Sequence, residues 1–262
     1  MMQPKVVILC GGLGTRLKEE TDFKPKPMVM VGNKPILWHV MKIYSHYGFN
    51  EFILCLGYKG EVIKEYFLNY DILNSDFTIK LSPQKTVTVH NTSDESDWRI
   101  TLADTGISAL KGARLKKIEK YIKEDTFMVT YGDGVGNINI KKLLDFHKSH
   151  GKIATVTGVR PPSRFGEMEV KDNKVLLFTE KPQTSGGLIN GGFFVFNRKF
   201  LEYLTDNDKC DFERGPLEEI AARGELMVYN HDGDWACMDT YRDVEYLNKL
   251  WQNNEAFWKI WR

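Results

Sequence analysis

The sequence predicts an α/β fold whose central sheet is mainly parallel. Over the first 160 residues, short runs of consecutive apolar residues alternate with longer stretches in which apolar residues recur at helical spacing. Runs that are apolar at every position are typical of strands buried on both faces, as in a parallel sheet covered by helices on each side. At 262 residues, the chain is long enough to bury a full core within one domain.

Each element of the first 160 residues follows from a local pattern. A helix is predicted over 36–44 because its apolar residues share one face, with Pro35 at its start and Gly48 as its stop. Further helices are predicted over 60–70, 114–123 and 140–150, and strands over 6–10, 52–56, 86–90, 99–102, 127–131 and 153–157.

The second half changes to consecutive strands. Strands are predicted over 175–178, 192–196 and 226–229, and helices over 199–204, 217–223 and 244–251. No internal repeat or long linker separates the halves, so residues 1–262 are predicted to form one domain. The aromatic residues near the end of the chain are expected to pack on the body of the domain or on a partner subunit.

A glycine-rich turn directly follows the first predicted strand. Gly11, Gly12 and Gly14 allow successive N–H groups to face an anion, since glycine has no Cβ. Arg16 and Lys26 then supply positive charge for a polyphosphate. The turn lacks the terminal Gly-Lys-Ser/Thr of a Walker A loop and the third glycine of a dinucleotide fingerprint. Taken alone, a turn of this kind could also be purely structural.

Two aspartates are candidates for holding a divalent cation. Asp133 lies between glycines after the strand over 127–131, and Asp239 lies in a later segment. Two carboxylates together with phosphate oxygens and water suit octahedral Mg²⁺, which protein side chains alone rarely surround. An ordinary Asp-Gly turn explains Asp133 equally well.

Two further segments are weaker candidates. Lys181 follows an apolar strand into a proline turn, and Asn190 with Gly191 precedes an aromatic strand, a pairing suited to sugar hydroxyls. Both could be ordinary turns. His39 and His147 lie on predicted helices and are interpreted as structural residues.

Composition narrows the possible partners. Lys and Arg number 36 against 35 Asp and Glu, and no basic stripe stands out, so nucleic acid is an unexpected partner. The four cysteines are scattered without metal-ligand spacing, and Cys10 and Cys55 are expected to be buried thiols in a reducing compartment. The first apolar run is too short for a signal peptide or a membrane helix, so the expected location is the cytoplasm.

The chain resembles the sugar-phosphate nucleotidyltransferases along nearly its whole length. The resemblance runs through GGLGTRL at 11–17, KPKPMV at 24–29, TYGDGV at 130–135, EKP at 180–182, INGGFFVFN at 189–197 and MDTYRD at 238–243. The first two motifs identify the family, and the Asp-Thr-Gly at 104–106 with the TYGDG and MDT-x-RD segments favours its cytidylyl branch.

The resemblance implies a fold and a reaction. It implies a Rossmann-like three-layer α/β/α fold, with a nucleotide-binding core over 1–160 and a β-rich sugar-phosphate-binding part over 161–262. The reaction implied is transfer of a cytidylyl group from CTP to α-D-glucose 1-phosphate, giving CDP-glucose and pyrophosphate with Mg²⁺ as cofactor. Members of the family usually assemble into trimers or hexamers, so a homo-oligomer is expected.

The resemblance also implies site residues. It assigns nucleotide binding to Leu9, Gly11, Gly12, Gly14, Thr15, Arg16, Lys26, Thr105, Arg114, Gly132 and Asp133, sugar-phosphate binding to Glu180, Lys181, Asn190 and Gly191, and the metal to Asp133 and Asp239. Arg16, Lys26 and Lys181 are the expected catalytic groups. Because a phosphate acceptor is already ionised at neutral pH, catalysis is expected to be positioning and electrostatics, with Mg²⁺ bridging the α-phosphate and the acceptor phosphate.

One residue and one short stretch differ from the family's usual pattern. Cys10 stands where alanine is usual, and the stretch over 212–216 reads Phe-Glu-Arg-Gly-Pro where Trp-Glu-x-Glu-Pro is usual. The second difference leaves open another acceptor phosphate. Another pyrimidine nucleotide is a separate alternative, since base choice rests on the resemblance around Thr105 and Arg114. A non-catalytic module that senses nucleotide or sugar phosphate is a further alternative, although the metal and triphosphate residues are all present.

Overall fold

Strands and helices alternate along the chain in the computed structural model, which describes residues 3–81, 83–90, 95–161, 167–171, 174–179 and 187–261. The strands are β1 (Val6–Leu9), β2 (Met30–Val31), β3 (Lys34–Pro35), β4 (Glu51–Leu56), β5 (Phe77–Lys80), β6 (Thr86–Val89), β7 (Arg99–Asp104), β8 (Thr126–Tyr131), β9 (Gly134–Gly136), β10 (Ala154–Val159), β11 (Glu167–Lys171), β12 (Lys174–Thr179), β13 (Ile189–Asn197), β14 (Leu226–Asn230) and β15 (Trp235–Cys237).

The α-helices are α1 (Lys18–Thr21), α2 (Ile36–His46), α3 (Gly60–Leu68), α4 (Tyr70–Asn74), α5 (Lys111–Lys117), α6 (Ile140–His150), α7 (Pro216–Ala222) and α8 (Tyr241–Gln252). Short 3₁₀ helices occur at Thr15–Leu17, Lys26–Met28, Glu119–Tyr121 and Arg198–Tyr203. None of the described helices combines the length and apolarity that crossing a bilayer requires.

The central sheet has seven strands in the order β14-β10-β13-β8-β1-β4-β7. Strand β1 pairs in parallel with both β4 and β8, and β4 pairs in parallel with β7. Strand β13 runs antiparallel to both of its neighbours, β8 and β10. The prediction of a mainly parallel α/β sheet is confirmed, and the later strands extend that same sheet.

Both faces of the sheet are covered, as the uniformly apolar strands indicated. Neighbouring residues of β1 point to opposite faces, so that Ile8 packs in one buried cluster and Val7 in another. The first cluster contains the apolar face of α2, including Val40, and the second contains Leu115 of α5. Cys10 and Cys55 are both buried, as predicted.

Several predicted helix bounds differ from the structure. The helix predicted over 60–70 is divided at Asn69, whose side-chain amide donates to the Glu65 carbonyl and ends α3. The helix predicted over 114–123 is wrong at both ends, because α5 covers Lys111–Lys117 and a 3₁₀ turn follows. The Ala113 N–H donates to the Cys210 carbonyl, a tertiary contact that the local pattern does not contain.

Two helices of the second half also differ from expectation. Residues 199–204 were predicted as a helix, and a 3₁₀ helix covers Arg198–Tyr203, with the Asn197 side chain accepting from the Lys199 N–H. The last helix begins at Tyr241, three residues before the predicted start at 244. Its first turn is fixed by Asp243, whose carboxylate accepts from the Thr240 N–H at 2.8 Å.

The C-terminal aromatic segment packs on the body of the domain around His39. Trp258 is fully buried, and its indole N–H lies 3.3 Å from Nδ1 of His39. Nε2 of His39 lies 2.9 Å from the Val31 carbonyl, which can only accept, so Nε2 carries the proton and Nδ1 accepts. His39 is therefore a neutral structural residue, as predicted, and burial lowers its pKa to about 4.

This buried imidazole predicts that the protein loses stability in mild acid. An unfolded histidine takes up a proton as the pH falls through about 6.5, whereas folded His39 stays neutral down to a pKa of about 4. Proton uptake therefore favours the unfolded chain between these values, and His39 alone is expected to remove on the order of 3 kcal/mol by pH 4. Urea unfolding between pH 7 and pH 4 measures this loss.

Two variants separate His39 from other titrating groups. His39→Gln is expected to reduce the pH dependence by the share of His39, while the part due to His147, whose pKa burial also lowers to about 4, remains. His46→Gln, at an exposed position of α2, is the control. Equal pH slopes for the native protein and His39→Gln would contradict the assignment.

Candidate active site

A cavity of about 540 Å³ opens beyond the carboxyl ends of β1 and β8. The glycine-rich turn enters it directly from β1, and Asp133 enters it two residues after β8. In parallel sheets this edge is where ligands bind, because the loops that follow the strands converge there.

The glycine-rich turn presents its backbone to the cavity. Among the described residues, no main-chain carbonyl accepts a hydrogen bond from the N–H groups of residues 11–15. Gly14 has a φ of +66°, and its carbonyl accepts from the Leu17 N–H at 2.9 Å, which begins the 3₁₀ turn that carries Arg16. A Cβ on Gly12 would meet open space. A series of N–H groups facing a cavity is a binding site for phosphate.

Arg114 holds the far side of this turn in place. Its side chain is buried, with a relative exposure of 4 %, and its guanidinium donates to the Gly11 and Leu56 carbonyls at 2.9 Å each. It also donates to the Thr105 hydroxyl at 2.7 Å and to the Gly106 carbonyl at 2.9 Å. A Cβ on Gly11 would lie 2.0 Å from Nη1 of Arg114, so only glycine permits this approach.

Two cations and two carboxylates form a network on one wall of the cavity. Nζ of Lys26 lies 2.6 Å from Oδ2 of Asp133 and 2.5 Å from Oδ1 of Asp239. Nη1 of Arg16 lies 2.7 Å from Oδ2 of Asp239. Lys26 is mostly buried, whereas the Arg16 side chain is 73 % exposed and able to swing toward a ligand. The network pairs each of the predicted phosphate-binding cations with a predicted metal carboxylate.

The pKa shifts in this network follow from its charges. Burial alone would lower the pKa of Lys26, but the Asp133 and Asp239 carboxylates outweigh burial and hold that pKa above its usual value. Burial would likewise raise the pKa of Asp239, and the hydrogen bond and charge of Lys26, with the charge of Arg16, bring it below its usual value. Both groups therefore stay charged at neutral pH.

Asp133 and Asp239 meet because two short strands pair across the chain. Strand β9 begins immediately after Asp133 and pairs antiparallel with β15, which ends two residues before Asp239. The Met238 N–H donates to the Asp133 carbonyl at 2.9 Å and extends this ribbon. Cys237 also lines the cavity, and burial followed by the charges of Asp239 and Asp133 raises the pKa of its thiol to about 12. The thiol is therefore protonated and unsuited to be a nucleophile.

The opposite end of the cavity carries polar side chains from the second half. Asn190 lies at the start of β13, and its Oδ1 accepts from the Gly192 N–H at 2.8 Å. The indole N–H of Trp235 donates to the Gly191 carbonyl at 2.8 Å. Glu213 accepts from the Asn190 amide at 3.0 Å. This end combines amide and aromatic groups with the Glu213 carboxylate, and these groups are suited to binding hydroxyls.

The cavity collects most of the predicted site residues. Its lining includes Leu9, Gly11, Gly12, Gly14, Thr15, Arg16, Lys26, Arg114, Asp133, Asn190 and Asp239. Thr105 is buried behind Arg114, while Gly132 and Gly191 stand next to lining residues in sequence. Glu180 and Lys181 lie outside the described residues.

Several lining residues were not predicted from the sequence, among them Tyr131, Lys111, Asp211 and Glu213. Tyr131 ends a strand already assigned to the core, and Lys111 lies before the predicted start of its helix. Glu213 lies in the stretch over 212–216, at a position where the usual pattern also has glutamate. Phe212 beside it is fully buried in the second core cluster, so a smaller aromatic ring is accommodated there by packing.

The donor set fits a magnesium ion held partly by substrate. Among the described residues, no three His, Cys, Asp or Glu side chains form a ready-made metal cluster. Asp133 and Asp239 supply carboxylate oxygens at one wall, both linked through Lys26. Mg²⁺ commonly takes one or two carboxylates together with phosphates and water. These two residues fit that requirement when nucleotide supplies the remaining oxygens.

A glycine-rich turn, one exposed and one buried cation, and paired carboxylates lie together at the carboxyl edge of a parallel sheet, an arrangement suited to transfer of a nucleotidyl group between phosphates. The chain belongs to the nucleotidyl transferase family, whose model matches residues 5–258. The predicted family and the predicted enzyme class are confirmed: the protein is a nucleotidyltransferase.

Curated relatives cover the whole chain. The chain is 52% identical to glucose-1-phosphate cytidylyltransferase of Salmonella typhimurium, over 98% of this chain and 99% of that protein. It is 47% identical to a probable glucose-1-phosphate cytidylyltransferase of Bacillus subtilis, over 98% of this chain and 100% of that protein.

Solved structures share the fold at low sequence identity. A crystal structure of UDP-glucose pyrophosphorylase complexed with UDP-glucose superposes with a TM-score of 0.69 at 14% identity, covering 97% of this chain and 100% of that one. The crystal structure of HddC from Yersinia pseudotuberculosis superposes with a TM-score of 0.68 at 24% identity, covering 95% of this chain and 100% of that one. The predicted Rossmann-like fold is confirmed.

Proposed function

We propose that this protein transfers a cytidylyl group from CTP to α-D-glucose 1-phosphate, giving CDP-glucose and pyrophosphate. The observation that carries the proposal is the complete phosphate-transfer wall formed by the turn over 11–15, Arg16, Lys26, Asp133 and Asp239. The substrates follow from 52% identity over almost the whole chain to an enzyme named for this reaction.

The triphosphate of CTP occupies the glycine-rich turn in this account. The N–H groups of residues 11–15 bind phosphate oxygens, and Arg16 swings from Asp239 to the departing pyrophosphate. Lys26 reaches the nucleotide phosphates from the buried side of the wall. Both cations exchange carboxylate partners for phosphate partners, so each keeps a negatively charged partner.

Asp133 and Asp239 would hold the Mg²⁺ that enters with the nucleotide. When bound there, the ion would supply positive charge that stabilises the negative charge on phosphate oxygens. Lys26 and Arg16 keep the pKa of Asp239 below its usual value, so this carboxylate stays ionised at neutral pH, as a metal ligand requires.

Attack on the α-phosphorus needs no general base from the protein. An oxygen of glucose 1-phosphate is already anionic and forms the new P–O bond, while the bond to pyrophosphate breaks. The protein's task is to hold two polyanions in line and to neutralise them, which Arg16 and Lys26 do within reach of the same wall.

Base recognition is assigned to the pocket next to the turn. Leu9 and Arg114 line it, Thr105 lies behind Arg114, and Gly132 follows β8 beside Leu9, whose carbonyl accepts from the Gly132 N–H at 3.3 Å. The hydrogen bonds of Arg114 to the Gly11 and Gly106 carbonyls support an additional role in shaping this pocket.

Acceptor binding is assigned to Glu180, Lys181, Asn190 and Gly191. Lys181→Ala is expected to raise the KM for glucose 1-phosphate by roughly tenfold or more, with a smaller effect on the KM for CTP, because its charge pairs with the acceptor phosphate. Initial-rate kinetics with each substrate varied in turn measure both constants. Lys174→Ala, at an exposed position of β12, is the control. Equal changes in both KM values would remove Lys181 from this role.

The reaction class has a direct test with labelled CTP. If the nucleotidyl group is transferred, label at the α-phosphorus appears in the sugar nucleotide and label at the γ-phosphorus appears in pyrophosphate. Recovery of α-label in inorganic phosphate or pyrophosphate would contradict the proposed transfer.

We also assign the protein to a cytoplasmic homo-oligomer, a trimer or a hexamer. Exposed apolar side chains on α4 and on the β5–β6 hairpin, including Leu73, Phe77 and Ile79, support burial of this region between subunits. Light scattering of the purified protein measures the assembly.

A further inference from the structure

Glu213 is fixed in the cavity by packing beneath it. Its neighbour Phe212 is fully buried among Phe194, Phe196 and Phe200, with ring centroids 5.5 Å, 6.1 Å and 6.3 Å away. The Glu213 N–H donates to the Asp211 carboxylate at 3.2 Å. The backbone on both sides is therefore anchored, and the carboxylate projects into the cavity as one of its lining groups.

Both oxygens of Glu213 have polar partners at the end of the cavity away from the phosphate wall. Oε1 accepts from the Tyr131 hydroxyl and from the Asn190 amide, the latter at 3.0 Å. Oε2 accepts from the Lys111 ammonium, which also lies 3.4 Å from Asp211. Burial, followed by the negative charge of Glu213, raises the pKa of Tyr131, so its hydroxyl keeps the proton that it donates.

These contacts determine how Asn190 faces a ligand. Its amide nitrogen donates to Glu213 and its Oδ1 accepts from the Gly192 N–H at 2.8 Å. The amide group of Asn190 cannot flip without losing both hydrogen bonds, since a carboxylate cannot donate and an N–H cannot accept. Glu213 thus selects the orientation of a residue assigned to the acceptor pocket.

The charge of this end is also set by Glu213. Asp211 and Glu213 carry two negative charges against the single positive charge of Lys111, whereas Arg16 and Lys26, which line the same cavity, balance the charges of Asp133 and Asp239. An acceptor with one phosphate and a neutral ring matches this polarity, with the phosphate toward the cations and the hydroxyls toward Glu213. A second anionic group on the ring would meet the carboxylate.

We propose that Glu213 is a positioning and specificity residue of the acceptor pocket, which orients Asn190 and Tyr131 toward neutral sugar hydroxyls and disfavours acceptors with a second negative charge. The proposal rests on the function proposed above, since it names how that same pocket selects its acceptor. Glu213 occupies the position of the first glutamate in the usual Trp-Glu-x-Glu-Pro pattern, so the proposal does not depend on the differences at Phe212 and Gly215.

The test is Glu213→Gln, which keeps the size of the side chain and removes its charge. The KM for glucose 1-phosphate is expected to rise about tenfold while the KM for CTP stays within about twofold, because a charge-assisted hydrogen bond is lost only at the acceptor end. The preference for glucose 1-phosphate over glucuronic acid 1-phosphate, measured as the ratio of kcat/KM values, is expected to fall roughly tenfold. Glu219→Gln, an exposed residue of α7 paired with Arg223, is the matched control.

A double-mutant cycle shows whether Glu213 acts through Asn190. The effects of Glu213→Gln and Asn190→Ala on glucose 1-phosphate binding are expected to be less than multiplicative, since each removes the same arrangement. Tyr131→Phe, which deletes one hydroxyl, is expected to raise the KM for the acceptor in the same selective manner and serves if Glu213→Gln fails to fold.

The outcomes separate this proposal from the proposed function. Equal changes in both KM values, an unchanged preference against the uronic acid, or multiplicative effects in the cycle would overturn the role of Glu213. If the native protein releases no pyrophosphate from CTP and glucose 1-phosphate, the proposed function fails. Calorimetric binding of glucose 1-phosphate to the native protein and to Glu213→Gln then decides the role of Glu213, and equal affinity or no binding overturns it.

Discussion

Asp133→Ala is expected to lower turnover by about 10²-fold or more, with little change in the temperature of unfolding. The substitution removes one of two carboxylates on the phosphate-transfer wall and leaves Lys26 paired with Asp239 alone. Loss of one preorganised electrostatic group in an active site typically costs a factor of this size. Pyrophosphate release at saturating CTP and glucose 1-phosphate measures the effect.

The matched control is Asp145→Ala, an aspartate at an exposed position of α6 that does not line the cavity. Its turnover is expected to equal that of the native protein. Arg16→Ala tests the same wall from the cationic side. Its turnover is expected to fall by a similar factor, since Arg16 pairs with Asp239 and is assigned to the pyrophosphate. A rate within about threefold of native for Asp133→Ala would remove Asp133 from the mechanism.

Arg114→Met is expected to destabilise the protein by at least about 3 kcal/mol, because buried carbonyls lose a charged hydrogen-bond donor. The affected groups include the carbonyls of Gly11, Leu56 and Gly106, which lie at the carboxyl ends of β1, β4 and β7. Methionine fills similar space and donates nothing, so the hydrogen bonds of the guanidinium are lost, and only the weaker, uncharged donors of Tyr58 and Thr105 remain for the Gly11 and Leu56 carbonyls. Urea unfolding measures the loss of stability.

The control for Arg114 is Arg99→Met, at a position where the side chain is 81% exposed and lies 3.7 Å from Glu51. Surface ion pairs of this kind contribute less than about 1 kcal/mol. If Arg114→Met unfolds at the same urea concentration as Arg99→Met, the buried guanidinium does not hold the ends of β1, β4 and β7 together.

Much of the site was predictable because its parts are local. A uniformly apolar strand that ends in glycines places a phosphate-binding turn at the edge of a parallel sheet, and Asp133 follows the neighbouring strand β8 in the same way. Both predictions use only which residues follow a strand in the sequence, without any side-chain contact. The helix α2 was equally predictable, since Pro35 and Gly48 bracket an apolar face that faces the sheet.

The contacts between distant segments were not predictable from such patterns. The approach of Asp239 to Asp133 depends on the pairing of β9 with β15, two strands of three residues whose sequences carry no alternation to signal it. The start of α5 at Lys111 depends on carbonyls of residues 208 and 210. The sequence shows that the stretch over 212–216 differs from the family pattern but not how it packs, which the burial of Phe212 explains.

The most direct measurement is pyrophosphate release with Mg²⁺ across CTP, UTP, dTTP, ATP and GTP, each combined with several sugar 1-phosphates and with unrelated phosphorylated acceptors. We expect pyrophosphate release to be fastest for CTP with glucose 1-phosphate. A dominant rate for CTP with another acceptor would keep the transfer and contradict the assigned substrate. No release for any pair, with nucleotide still bound, would contradict catalysis itself and favour a sensing module.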